Sequence, residues 1–401
     1  MHTIADTKTL VAEGVISQAA ARIIESRARS AMVALAINAV LCAGILFATF
    51  GLIFWLADAL AVAVCGGVFL LAGGLTLNKG HALYSMFGNA AALIGAGMLI
   101  SGFGIEMADK YEDIAGWVMA LVGAGVALCM VLLQRTKSLA TPFVTGAILL
   151  MAGALHLSGL GLWAEQLSLT GLPMVAFWLY AAMLIALAGW FVDVRLVSAL
   201  AIVPFAQALD TSTFYFHAAY VFYSPEPTLS ILQMSGLIAA MLWVARRGDE
   251  RVARHARIHV MMAFIVANLC ALVGSLWGDV VGETIFGPSR DLLRNGADYT
   301  DWRDAVEVYR ASALVIHEHV FSVLWALALV AITALAAHKN LRGLFNAAVT
   351  FAGIHAYTQV FETFYDEPLA YVVGGFVAIP LAWGMWRLNT WFLGRAAPSN
   401  E

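Results

Sequence analysis

Twelve stretches of about twenty apolar residues follow one another along the chain, each nearly free of charge. A helix of that length crosses the hydrocarbon of a bilayer, and a lipid-exposed backbone must satisfy its own hydrogen bonds. The pattern therefore predicts an all-α, polytopic membrane bundle. The stretches lie near residues 31–56, 59–77, 82–105, 114–134, 139–163, 170–191, 196–221, 228–246, 259–283, 313–337, 343–365 and 369–393. Composition excludes the alternative of two or three soluble domains in 401 residues. The chain is 62% hydrophobic and 12% charged, against about 45–50% and about 25% in soluble domains. The four cysteines fall inside apolar runs without CxxC spacing, and no basic stripe points to nucleic acid.

Charge placement sets the expected orientation. With twelve spans and both termini inside, seventeen of the twenty-two Lys and Arg fall on the cytoplasmic side. The largest group is Arg246, Arg247, Arg251, Arg254 and Arg257. No Lys or Arg then lies deep in the membrane, and the expected location is the inner (plasma) membrane.

Three regions follow. Residues 1–30 read as a cytoplasmic amphipathic helix or helical pair broken at Gly14, with Asp6 or Thr7 as its cap, and they hold no continuous apolar core of signal-peptide type. This segment lies on lipid or offers a surface to a cytoplasmic partner. Residues 31–194 form a bundle rich in small residues, such as Gly66-Gly67, Gly95-Ala96-Gly97 and Gly123-Ala124-Gly125, which let helices approach closely. Residues 195–401 carry most of the polar residues at membrane depth, with a long external loop over 287–312 that holds a short surface helix near Trp302–Arg310.

The segment Leu10-Val11-Ala12-Glu13-Gly14-Val15-Ile16-Ser17-Gln18, followed by Ala21-Arg22-Ile23-Ile24, resembles the opening of the DUF2157 family of bacterial membrane proteins. The resemblance covers about 25 residues and implies a cytoplasmic lead-in helix before many spans. It carries no assigned chemistry and no site residues.

Ionisable residues inside spans are costly and point to function. Span seven offers Gln207, Asp210 and His217; span nine offers Asp279 and Glu283, one turn apart; span ten opens with His317-Glu318-His319; span eleven carries His355, Gln359, Glu362 and Asp366 in one stripe. The alternating topology puts Asp210 and His355 near the midplane and the others in the outer half. The candidate substrate, ion or proton-relay set is therefore Asp210, His217, Glu283, His319, His355, Gln359 and Glu362. Pro142, Pro173, Pro204 and Pro380 supply kinks or breaks.

Carboxylates at low dielectric and histidine near neutrality suit proton movement, and the lack of deep cations favours protons, cations or a neutral solute. The favoured reading is an ion-coupled translocator rather than an enzyme. Two alternatives stay open. One is a metal- or haem-dependent membrane enzyme with His217, His319, His355 and Glu362 as ligands, although no cofactor is required by the sequence and HExxH is absent. The other is a non-catalytic scaffold or sensor acting through residues 1–30.

Overall fold

The computed structural model describes residues 7–79, 85–136, 142–209, 226–288 and 298–364, with scattered positions from 368 to 387. Asp210 and His217 lie outside the described residues, as does Asp366. The described chain is almost entirely helical and forms two compact units, Met1–Ser168 and Leu169–Glu401.

The first unit holds α1 (Thr7–Ala12), α2 (Gln18–Leu56), α3 (Ala59–Lys79), α4 (Ser85–Lys110), α5 (Glu112–Thr136) and α6 (Pro142–Gln166). Gly14 adopts φ +71 between α1 and α2, so the lead-in breaks where the sequence places the break. Ser17 caps α2 by accepting the Ala20 N–H at 3.1 Å. The helix then continues without interruption to Leu56, so the second half of the lead-in and the first apolar stretch are one rod. It ends at Ala57, and Asp58 opens α3 by accepting the Ala61 N–H at 2.7 Å.

Small residues set the packing here. A Cβ on Gly66 would collide with the α4 backbone at Gly95 and Leu99, and one on Gly95 would collide with α3 at Gly66 and Leu70. Gly123 and Gly159 repeat the arrangement between α5 and α6. Backbone-to-backbone approach of this kind maximises dispersion contact where lipid gives helices no hydrophobic drive to associate.

The second unit holds α7 (Leu172–Val192), α8 (Arg195–Leu200), α9 (Ile202–Gln207), α10 (Pro227–Arg247), α11 (Glu250–Trp277), β1 (Asp279–Val280), α12 (Glu283–Phe286), α13 (Tyr299–Ser312), β2 (Val315–Ile316), α14 (Glu318–His338) and α15 (Arg342–Phe364). Its organising element is α11, about 42 Å long at 1.5 Å per residue. One side of α11 packs Ala263, Val266 and Cys270 against Ile202, Ala206 and Met234. Another packs Phe264 and Ala271 against Trp325, Leu329, Ala348 and Phe351.

Eight described helices are long and apolar enough to cross a membrane: those over 59–78, 86–110, 112–134, 143–166, 172–192, 227–247, 250–277 and 318–338. Large apolar side chains such as Phe47, Trp55, Leu71 and Leu187 project from these helices and from α2 without cover. Lipid is the solvent that makes such surfaces stable. The fold is that of a multi-pass helical membrane protein.

Several expected spans take a different form. The stretch 196–221 divides at Ala201 into α8 and α9 over its described part. Span nine ends at Trp277 instead of 283, because Gly278 takes φ +70, a left-handed backbone that stops the helix. Asp279 then enters a two-stranded antiparallel pairing, with Asp279 opposite Ile316 and Val280 opposite Val315, and Glu283 starts a separate short helix. Asp279 and Glu283 thus do not share one helical face. Pro142 and Pro173 sit in the first turns of α6 and α7, where the missing N–H costs nothing, and are starts instead of kinks.

Candidate functional site

Three polar assemblies occupy different levels of the second unit. The first lies where α7 ends and α11 begins. The last carbonyls of a helix lack internal partners and carry its negative dipole end. Arg251 meets both needs: its Nη2 donates to the Trp190 and Phe191 carbonyls while its guanidinium lies 5.2 Å from the Trp190 ring centre. Asp193, the left-handed cap of α7, accepts from Arg254 at 3.1 Å and from His255 Nε2 at 2.9 Å. With a carboxylate on Nε2–H, the neutral ring presents Nδ1 to the Ser198 hydroxyl, 2.7 Å away. His259, one turn along α11, donates from Nδ1 to the His255 carbonyl at 2.8 Å, and its Nε2 is buried without a partner.

Serine, histidine and aspartate in that order match a nucleophile, its base and an orienting acid. Ser198 nonetheless has 0% exposure and packs on the backbone of Gly189. No substrate carbonyl reaches its Oγ, so the chain of bonds fixes α8 between α7 and α11.

The His255 hydrogen bond holds the Asp193 carboxyl below its ordinary range, and Arg254 and Arg251 add to this against the opposing effect of burial. A depressed folded value means that the junction is fully formed above the ordinary aspartate range and weakens as pH falls through the folded value. Asp193→Asn should remove that acid dependence. Thermal melts across acid pH check this: wild type should lose stability more steeply than the variant.

The second assembly lies at the opposite ends of α10 and α11. Glu226, 3% exposed between Pro225 and Pro227, accepts the Gly282 N–H at 2.6 Å and the Thr284 N–H at 2.9 Å. Asp279 answers from the other side, accepting the Thr228 N–H at 2.8 Å. The two carboxyls clamp the start of α10 to the turn after α11. Glu283 is bound by Arg310 of α13, with Nη2 to Oε1 at 2.8 Å, and Tyr309 donates to the Val281 carbonyl at 3.2 Å. The surface helix in the 287–312 loop is therefore strapped across this end.

The third assembly is interior. Trp325 Nε1 donates to Asn268 Oδ1 at 2.8 Å, and Asn268 Nδ2 donates to the Phe264 carbonyl at 2.7 Å. His355 packs its ring on Trp325 with centres 4.7 Å apart, and its Nδ1 is buried without a hydrogen-bond partner. Counting along α11 and α14 from their carboxyl-clamp ends, Asn268 and Trp325 lie about 10–14 Å in.

The sequence candidates thus separate. His355 is in the interior assembly and Gln359, half-buried, is one turn along α15 toward the clamp end. Glu362 continues that helix, with its side chain outside the described set. Glu283 belongs to the strap. His319 is 87% exposed at its side chain and does not face the interior. Among the described residues no group of three or more His, Cys, Asp or Glu is placed to hold a metal ion. Glu226, Ser198, Asn268 and the i, i+4 pair His255–His259 escape the sequence reading. The histidine spacing and the Pro-Glu-Pro start of α10 are visible in the sequence, but starting span nine at residue 259 leaves His255 outside any helix and hides the first.

These features define the class: a multi-pass helical membrane protein with polar assemblies at both ends and in the interior of its second unit. No family model matches the sequence, and a search of the curated proteins and of the solved structures finds no significant match.

Proposed function

We propose that this protein is a translocator of the inner membrane that moves protons, in exchange with or alongside a cation or small neutral solute. We assign it twelve spans with both termini in the cytoplasm and membership of the DUF2157-like group. The observation that carries it is His355, an imidazole between helices whose Nδ1 is buried without a partner. A buried ring nitrogen left unsatisfied is costly unless a proton, water or solute visits it. Trp325, itself held by Asn268, packs against the ring, and Gln359 and Glu362 follow it along the helix toward the clamp end. The arginines of the α10–α11 connection and the carboxyls Glu226 and Asp279 stand at opposite ends of those helices, which agrees with an arginine end inside.

The test is flux in proteoliposomes. His355→Phe keeps the packing on Trp325 but removes the titratable nitrogens, and it should lower flux by roughly a hundred-fold, the scale of losing a proton-transfer group. His355→Gln should fall between. Equal flux in all three proteins would refute the role of His355.

A further inference from the structure

The junction of α7, α8 and α11 holds more cations than its own contacts neutralise. Asp193 is the carboxylate there, and its oxygens already take Arg254 Nη2 and His255 Nε2. Arg251 lies farther off, with Nε 3.7 Å from Asp193 Oδ1, and its Nη2 goes to the α7 carbonyls. Arg195, the first residue of α8, is exposed and has no hydrogen-bond or ion-pair partner among the described residues. Three guanidiniums therefore stand at this junction against one carboxylate. The side chains of Arg251 and Arg254 are still 38% and 33% exposed. The adjoining α10–α11 connection does not redress the balance. It exposes Arg246, Arg247 and Arg257 against Glu250 and Asp249, and the Asp249 carboxyl caps α11 on the Val252 N–H.

Apolar surface leads away from these charges. Leu196 and Leu200, one turn apart on α8, are 74% and 54% exposed. On α7, the exposed Leu187 lies one turn before Trp190, whose ring carries the Arg251 guanidinium. A tryptophan at the end of a span sits at the headgroup level of the bilayer. The planar guanidinium fork matches the oxygens of a phosphate. A molecule that joins a phosphate to two hydrocarbon chains presents the same two chemistries in the same order. We infer that this junction binds an anionic phospholipid, with its phosphate among Arg195, Arg251 and Arg254 and its acyl chains along Leu196 and Leu200 of α8 and Leu187 of α7. The headgroup neutralises the surplus cations and ties α8 to the start of α11, beside the Ser198–His255 bond that already joins them. A phosphatidylcholine headgroup carries the same phosphate but brings a cation of its own into the cluster, so it fits less well. The site does not rest on the translocation reading.

Native mass spectrometry of the full chain, titrated in neutral detergent with phosphatidylglycerol or phosphatidylcholine of the same acyl chains, reads the affinity of the first lipid bound. Wild type should bind phosphatidylglycerol more tightly. Arg195→Gln removes no contact within the protein, and it should weaken phosphatidylglycerol binding by about five-fold, the worth of one cation at a charged lipid surface. Arg195→Lys keeps the charge but loses the fork and should fall between. Arg342→Gln removes an exposed cation at the start of α15, outside the junction, and should leave the affinity unchanged. Equal affinity of wild type for the two lipids overturns the site. So does an equal loss in Arg195→Gln and Arg342→Gln, which would mean a diffuse attraction to net charge. Inorganic phosphate at the same concentration should not displace the lipid. Displacement would make the ligand a free anion and overturn the lipid assignment.

Discussion

Valine at position 66 should drive α3 and α4 apart, while valine at position 67 should leave them seated. The residues are neighbours, yet a Cβ on Gly66 meets the α4 backbone at Gly95 and Leu99, whereas one on Gly67 meets nothing within 4 Å. Overpacking against side chains that can yield costs about 1–3 kcal/mol. Here the obstacle is backbone, which cannot rotate away, so the cost of Gly66→Val should reach or pass the top of that range. Valine's own helical penalty is small and common to both positions. Thermal unfolding in detergent, together with disulfide trapping between cysteines placed on α3 and α4, should show a lowered midpoint and lost trapping for Gly66→Val alone. Equal behaviour of the two variants would refute the close approach.

Removing the Glu226 carboxyl should have the second large effect. Its two oxygens take the Gly282 and Thr284 amides, both next to the end of α11. Glu226→Ala leaves those donors without a protein acceptor, at about 1–3 kcal/mol each where water does not enter. Glu226→Gln keeps one acceptor and sets an NH2 against the other amide, so it should recover part of the loss. Hydrogen exchange should speed up at Gly282 and Thr284 in the order wild type, Gln, Ala, with the melting temperature falling in the same order. Unchanged exchange in Glu226→Ala would mean that the clamp does not hold the turn.

How far the sequence reveals this molecule depends on the range of the interactions concerned. Hydropathy is a local property, so the spans from Ala59 to Val192 and those at 227–247, 250–277 and 318–338 are legible as apolar stretches. The break at Ala57-Asp58 is legible for the same reason, since a short acid beside an apolar run is a helix start. The end of α11 is less so. Gly278 alone does not announce a left-handed backbone, and the apolar run continues past it through Val280 and Val281, so Asp279 and Glu283 read as one helical face.

Helical periodicity brings His355 and Gln359 to one stripe, but it says nothing of Trp325, which meets His355 only through the packing of α11, α14 and α15, nor of Asn268, which holds the Trp325 indole. Glu226 and Gly282 are 56 residues apart, and Ser198 and His255 are 57 apart. No spacing rule reaches such pairs. His319 fails as an inward candidate because α14 begins at Glu318, and its second residue there points away from the bundle.

We propose that the second unit gives protons a route through the membrane by way of His355. The decay of an imposed pH gradient across vesicles that hold the intact chain, compared with protein-free vesicles of the same lipid, reads that route. Decay should be faster with the chain present and should slow to the protein-free rate in His355→Phe. Decay at the protein-free rate in both proteins, with the chain folded and inserted, would contradict it.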